Sequence, residues 1–87
     1  MQIVLTAAVA EAMKDKGTEN AVLKALRQFS NNEWGKVPQE DKEANNADLR
    51  AGTGRILARY ETPAGDIYII SYPGTDTPAT VLFCREY

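Results

Sequence analysis

The sequence predicts a small α+β domain, with two or three helices packed on one face of a three- or four-stranded antiparallel sheet. Most of the strong β-forming residues lie after residue 54, in three short runs bounded by Pro and Gly. The first half instead carries apolar residues at helical spacing. A chain of 87 residues is long enough for one domain. Residues 1–52 are therefore expected to be mainly helical and residues 53–87 to form a β-meander.

The N-terminal third predicts one strand and two helices. Ile3–Leu5 is a short apolar run, expected to add a fourth strand to the meander. Thr6 suits the N-cap of a helix over residues 7–16, and Gly17 suits its end. Thr18 is then expected to cap a second helix over residues 19–30. This helix has the clearest apolar stripe and is expected to pack directly on the sheet through Val22, Ala25, Leu26 and Phe29.

A third helix is predicted over residues 39–51. Pro38 suits its start, acidic residues lie in its first turns, Arg50 lies in its last turn and Gly52 follows it. Its apolar residues are few and mostly small. The helix is therefore expected to be largely solvated and held by one thin contact line, formed by Ala44, Ala47, Leu49 and Ala51.

Three strands are predicted over residues 55–60, 66–72 and 79–85. In the first, Ile56, Ala58 and Tyr60 point one way and Leu57 and Arg59 the other. In the second, both alternating sets are apolar, which favours the central position in the sheet. Residues 73–78, rich in Pro, Gly and Thr, are expected to form a rigid polar connection.

Composition excludes several classes of function. The net charge is −2 and the sequence contains no His, which removes the commonest general base and metal ligand. Nucleic-acid binding usually shows a strong basic excess, which is absent here. The single cysteine, Cys84, fits a reducing cytoplasm, and no apolar run is long enough to cross a membrane. We expect a cytoplasmic protein with no cofactor, no metal and no membrane partner.

Three candidate chemical sites have simpler structural explanations. Gly52–Gly54 follows a predicted helix and precedes a strand, the reverse of a phosphate-binding loop. The acidic residues around Asp41 suit a helix start. Cys84 has no His to activate it and is expected to be a buried strand cysteine.

Trp34 is the most informative single residue, because a Trp in a polar turn either fills the core or forms an exposed binding anchor. Trp, Tyr and Arg are the usual anchor types at protein interfaces. Arg55 and Arg59, with Tyr60, Tyr68 and Tyr72, could alternatively form an aromatic and basic sheet face that stacks single-stranded nucleic acid. The predicted partner-binding residues are Trp34, Asp41, Arg55, Arg59, Tyr60 and Tyr72.

An ordered series of short motifs runs through residues 22–87. They are Trp34-Gly35, Asp41-Lys42-Glu43-Ala44-Asn45, Gly54-Arg55-Ile56-Leu57-Ala58-Arg59-Tyr60, Ile69-Ile70, Ala79-Thr80-Val81-Leu82-Phe83 and Glu86-Tyr87. In order and spacing, the series resembles a small family of phage- and plasmid-borne proteins of unassigned function. That family is catalogued as plasmid-related proteins, and some members are labelled as the modification subunit of a type I restriction enzyme. The chain departs from the family pattern at residues 32–33, at Ala58 and at residues 71–76.

The resemblance implies a mobile-element setting but no activity. The chain lacks an Asn-Pro-Pro-Tyr-type loop and is too short for a doubly wound cofactor-binding fold, so methyl transfer is not expected. We expect a non-enzymatic binding protein that occludes a host protein, with a component of anti-phage defence as the suggested target. A nucleic-acid or nucleotide-binding module is the alternative, and a hydrolase that uses Asp41 is a third hypothesis. A homodimer through a sheet edge is compatible with each.

Overall fold

The chain folds into one four-stranded sheet, three α-helices and a terminal 3₁₀ turn. A computed structural model describes residues 2–87. The elements are β1 (Ile3–Leu5), α1 (Ala7–Ala12), α2 (Lys16–Ser30), α3 (Gln39–Ala51), β2 (Ile56–Tyr60), β3 (Ile67–Ser71), β4 (Ala79–Phe83) and a 3₁₀ helix (Cys84–Glu86). The α+β class is confirmed. The predicted first and second strands of the meander match β2 and β3 to within one residue at each end.

The sheet is mixed, so the prediction of a purely antiparallel sheet was wrong. The strand order is β1-β4-β3-β2, with β3 in an interior position as predicted. β2, β3 and β4 pair antiparallel, but β1 pairs parallel to β4. A parallel pair needs a long connection between its strands, and here the three helices and two strands between β1 and β4 supply it.

The hydrophobic core lies between one face of the sheet and the helices α1 and α2. Val9 of α1 and Val22 of α2 are fully buried there. Val22, Ala25 and Phe29 of the predicted stripe are buried and Leu26 is half-buried, which confirms that this stripe of α2 packs into the core it shares with the sheet. From the sheet, the core receives Ile56, Ala58, Tyr60, Ile67, Ile69, Val81 and Phe83.

The boundary between α1 and α2 differs from the prediction. α1 ends at Ala12, and α2 begins at Lys16, so Gly17 lies inside the first turn of α2 and does not end α1. Asp15 is the N-cap in place of Thr18, because its carboxylate accepts hydrogen bonds from the Thr18 backbone N–H and the Thr18 hydroxyl, each at 3.0 Å.

α3 lies along the outer side of β2, and its contact differs from the predicted apolar line. Ala44, Ala47, Leu49 and Ala51 are exposed, and Asn45 is the buried residue of this helix. The Asn45 side-chain amide donates to the Leu57 carbonyl at 3.0 Å and accepts from the Leu57 N–H at 3.3 Å. One side chain therefore replaces a neighbouring strand at this position of the sheet edge.

The last strand is shorter than predicted. β4 ends at Phe83, and Cys84–Glu86 turn into a 3₁₀ helix. The Glu86 carboxylate accepts from the Phe83 N–H at 2.8 Å and from the Thr6 hydroxyl at 2.9 Å, which holds this turn against the start of α1. Cys84 is accordingly half-buried in a turn, and the expectation of a buried strand cysteine was wrong.

Candidate functional site

A cleft of about 620 Å³ opens at the end of the sheet where β2 begins and β3 ends. Its apolar lining residues come from different elements, its rim is the connection of residues 73–77 between β3 and β4, and polar residues also line it, namely Gln2, Ser30, Asn32 and Ser71. The cleft walls, as the apolar set is called below, are Phe29, Trp34, Leu49, Ile56 and Tyr72.

Trp34 forms the fixed part of the cleft walls. It is 3% exposed and its ring meets the ring of Phe29 edge-on, with the centroids 5.4 Å apart. Its indole N–H donates to the Asn46 side-chain oxygen at 2.9 Å. Trp34 is therefore a core residue, as the first of its two interpretations predicts, and the interpretation as an exposed anchor was wrong, although Trp34 also lines the cleft.

The rim of the cleft is a well-bonded loop. The Thr75 hydroxyl donates to the Tyr72 carbonyl at 2.8 Å and accepts from the Thr77 N–H at 3.2 Å. Gly74 has φ +78°, and a Cβ at this position would lie 2.0 Å from the Gly52 carbonyl oxygen. The loop therefore packs closely against the C-terminal end of α3, and glycine at position 74 permits that approach.

Two apolar side chains of the cleft are partly exposed to solvent. Leu49 is 41% exposed and Tyr72 is 40% exposed. Among residues 2–87, Asp76 is the only lining residue that carries a formal charge at neutral pH, and no Lys or Arg of this part of the chain lines the cleft. The cleft therefore offers apolar area with one acidic group at its rim.

The six residues predicted to bind a partner do not form one surface. Trp34 and Tyr72 line the cleft. Asp41 is exposed in the first turn of α3, Arg55 is exposed and Arg59 is half-buried. Tyr60 points into the core.

Tyr60 has a structural role. It is 5% exposed, and its hydroxyl donates to the Glu33 carbonyl at 2.7 Å. Burial, with a smaller effect of the Glu33 charge, raises the pKa of Tyr60 far above its ordinary value. This phenol stays neutral and unavailable to a partner at neutral pH.

The sheet face opposite the helices carries an aromatic and basic group. Arg55 donates to the Tyr87 hydroxyl and lies over the Tyr87 ring at 5.8 Å. The Tyr87 ring meets the Tyr68 ring edge-on at 5.4 Å. The C-terminal residues thus fold back over this face, and Tyr87 itself remains 64% exposed.

Arg59 on the same face is held by an ion pair. Its guanidinium contacts the Asp66 carboxylate at 2.9 Å, and Lys36 lies 3.4 Å from the same carboxylate. Desolvation by itself raises the pKa of Asp66, but the hydrogen bond from Arg59 and the charge of Lys36 outweigh it and lower that pKa below its usual range. The hydrogen bond to Asp66 also raises the pKa of Arg59.

Cys84 lies near this pair but is not activated by it. Desolvation raises the pKa of the Cys84 thiol, and the opposing effect of the Arg59 charge is smaller. The thiol therefore stays protonated at neutral pH.

Sequence analysis missed most of the cleft walls. The sequence predicts Phe29 only as part of the stripe that packs on the sheet, Ile56 only as pointing the same way as Ala58 and Tyr60, and Leu49 as part of the contact line of α3. One signal was present, since Leu49 is the one large apolar side chain in an otherwise small and polar helix. The rest could not be found, because the walls belong to segments that are distant in sequence.

Within residues 2–87, no group of three or more Cys, Asp or Glu side chains is arranged to hold a metal ion. No helix in the same residues is long and apolar enough to cross a membrane. No family model, curated protein or solved structure matches this chain. The resemblance to plasmid-related proteins therefore stays a prediction that rests on its motifs.

Proposed function

We propose that this chain is a non-enzymatic protein-binding module whose cleft receives an apolar side chain of its partner. The observation that supports this most directly is the pair of exposed apolar side chains, Leu49 and Tyr72, beside a cleft of about 620 Å³. A partner that covers these side chains removes apolar area from water, which is worth about 25 cal/mol per Å².

The hydrogen bonding of the cleft favours a protein side chain over a polar metabolite. Small-molecule sites usually present a few polar groups that await the ligand. Here the Trp34 indole N–H already donates to Asn46, and no buried side-chain N or O atom of residues 2–87 lacks a hydrogen-bond partner. Recognition at the buried base of the cleft would therefore depend on shape and apolar contact, while the accessible polar side chains of Gln2, Asn32 and Ser71 could contact polar groups of the same partner.

The charge at the rim of the cleft indicates which residue types the partner presents there. Asp76 is the only charged residue that lines the cleft in the part of the chain that the structure describes. An apolar residue flanked by Lys or Arg would complement this rim, whereas the phosphates of a nucleotide would meet no cation in the cleft. We infer that the partner presents an apolar side chain next to a basic or neutral one.

The resemblance to plasmid-related proteins supports a partner in the host cell. On this basis the chain would act by occupying a surface of a host protein and blocking access to it, with anti-phage defence as the suggested pathway. The chain is large enough to block a host surface in this way, because a standard protein interface buries only about 800 Å² on each partner.

The nucleic-acid alternative has less support. Of the residues proposed for it, Tyr60 is buried, Tyr72 lies at the cleft, and Arg59 is paired with Asp66. Arg55 and Tyr68 remain on the open face, which is a small basic surface for binding a strand.

A capture experiment with two matched variants tests the proposal. Leu49 and Leu23 are both exposed leucines on helices, at 41% and 44%, but only Leu49 lines the cleft. Tagged wild type, Leu49→Glu and Leu23→Glu are incubated with host-cell lysate, with and without nuclease, and bound proteins are identified by mass spectrometry. We expect one protein, bound near one-to-one by wild type and Leu23→Glu, and reduced about tenfold or more by Leu49→Glu.

Circular dichroism establishes that both variants are folded, and the emission of Trp34, the only Trp in the chain, then reports binding of the purified partner. Capture that Leu49→Glu leaves unchanged would contradict a role of the cleft. Capture that disappears with nuclease would favour the nucleic-acid alternative, and the absence of any stoichiometric protein would contradict the proposal as a whole.

A further inference from the structure

The two edge strands of the sheet, β2 and β1, differ in whether the rest of the chain bonds their outward backbone groups. On the outer side of β2, the Arg59 N–H donates to the Trp34 carbonyl at 3.1 Å, and the Arg59 carbonyl accepts from the Lys36 N–H at 2.7 Å. Leu57 is bonded on the same side by Asn45. The backbone groups along that edge are therefore used within the chain.

The outer side of β1 has no such cover. The Gln2 carbonyl accepts from the Ala79 N–H at 2.9 Å, and the Thr6 N–H donates to the Val81 carbonyl at 3.1 Å. Backbone groups alternate in direction along a strand, so the N–H and C=O groups of Ile3 and Leu5 point away from β4. Within residues 2–87, no hydrogen bond is made by these groups.

Apart from its short length of three residues, β1 lacks the usual protection of an edge strand. Natural edges carry charges, Pro or bulges that discourage pairing with another chain. Residues 2–10 contain neither a charged residue nor Pro, and Ile3 and Val4 are 42% and 47% exposed. An uncharged, apolar edge of this kind is a template for strand addition.

We propose that β1 pairs antiparallel with β1 of a second copy of this chain, about a two-fold axis at Val4. In this register Ile3 lies opposite Leu5 of the second copy, and the outward groups of these two residues form four hydrogen bonds across the interface. The two sheets join into one of eight strands, with both helix layers on the same side.

A second copy fits this edge better than an unrelated strand, because the edge is self-complementary. The outward groups lie symmetrically on either side of Val4, so the same three residues satisfy each other. The uncharged residues 2–10 meet without like-charge repulsion, and the exposed residues of α1 next to β1 are mainly small, namely Ala7, Ala8 and Ala10. These side chains permit the two α1 helices to approach.

Disulfide trapping tests the register. In a Cys84→Ser background, Val4→Cys places two thiols at a directly opposed, non-hydrogen-bonded pair, where Cα atoms are about 4.5 Å apart and a disulfide can form. Ile3→Cys is the matched control, because Ile3 and its equivalent in the second copy are diagonal neighbours, roughly 7–8 Å apart or more. We expect rapid cross-linking of the Val4→Cys variant on mild oxidation and little of the Ile3→Cys variant. Equal cross-linking of the two, or none, would overturn the proposal.

Sedimentation equilibrium from micromolar to millimolar concentration provides an independent test. Ile3→Pro removes an outward N–H and leaves the bonds between β1 and β4 in place, while Ile3→Val keeps that N–H. We expect wild type and Ile3→Val to dimerise and Ile3→Pro, shown to be folded by circular dichroism, to remain monomeric at about tenfold higher concentration. A wild type that stays monomeric throughout, or a dimer that Ile3→Pro does not weaken, would refute the pairing. Both outcomes concern dimerisation through β1 alone, and neither tests the proposed binding of a partner in the cleft.

Discussion

Gly35 shows at the scale of one residue how the chain attaches a loop to the sheet. It has φ +76°, and a Cβ there would lie 2.0 Å from the Arg59 carbonyl oxygen. The absence of a side chain is what allows residues 34–36 to run beside β2 as an extra strand-like segment. Gly52 has a similar φ of +69°, but no atom lies within 4 Å of the position of its Cβ.

Gly35 and Gly52 allow a prediction in which one variant serves as the control for the other. Gly52→Ala is expected to cost about 1–2 kcal/mol of unfolding free energy, because an L-residue is strained at positive φ. Gly35→Ala carries the same strain and also a clash with backbone, so we expect a loss of about 3 kcal/mol or more. Urea unfolding of both variants, followed by Trp34 emission, measures the difference. Equal losses would show that residues 34–36 are not held against β2 as described.

Asn45 illustrates what residue-level sequence analysis could not predict. A polar residue in a polar helix gives no sign that it will be buried, and the sequence pattern assigned the contacts of α3 to its alanines. The helix is held instead by polar contacts, which include the two hydrogen bonds of Asn45 with Leu57 and the bond from Trp34 to Asn46. Only the tertiary position of an unpaired strand edge creates this need, and periodicity carries no information about it.

At the scale of elements, the helix stripe and the strands were predictable, whereas the helix start was not. The apolar positions 22, 25 and 29 identify α2 from spacing alone, and all three are buried. Asp15 and Thr18 lie three residues apart, and the sequence predicts Thr18 as the cap because Gly17 suits the end of the preceding helix. In the structure, Gly17 lies within the first turn, where Asp15 satisfies the Thr18 N–H.

The capping assignment can be measured. Asp15→Ala removes the acceptor of two hydrogen bonds and a negative charge at the helix start, so we expect a loss of roughly 0.5–2 kcal/mol in unfolding free energy. Asp15→Ser keeps a capping oxygen and is expected to retain most of that stability. An Asp15→Ala variant with unchanged urea unfolding would contradict Asp15 as the cap.

Several residues of the motifs that carry the family resemblance have a structural role in joining elements of the fold. Trp34 and Gly35 supply the segment beside β2, Asn45 bonds its outer side, and Tyr60 anchors the preceding turn through Glu33. These residues therefore build the covered edge of the sheet. A resemblance carried by them predicts a shared architecture more directly than a shared partner.

At the scale of the whole molecule, the cleft is the feature that the sequence could not reveal. Its walls come from α2, the turn after it, α3, β2 and the end of β3, and no spacing rule links these segments. The fold class could be predicted because each element carries its own pattern. The parallel pairing of β1 could not, because its direction depends on where the intervening chain returns.

The contrast between the two sheet edges leads to a prediction for hydrogen exchange across the molecule. The amides of Leu57 and Arg59 are bonded on the outer side of β2, to Asn45 and Trp34, whereas those of Ile3 and Leu5 point outward with no partner among residues 2–87. At low protein concentration we expect slow exchange at Leu57 and Arg59 and fast exchange at Ile3 and Leu5, read residue by residue from NMR spectra.

Raising the concentration is expected to slow exchange at Ile3 and Leu5 alone, since only these amides gain hydrogen bonds when two copies pair. Fast exchange at Leu57 would mean that Asn45 does not replace a strand there. Uniform slowing along the whole chain would indicate general stabilisation, whereas slowing confined to two alternate residues of one edge strand has no explanation other than an added strand. The same spectra therefore test whether Asn45 replaces a strand at the β2 edge and whether the β1 edge pairs with a second copy of the chain.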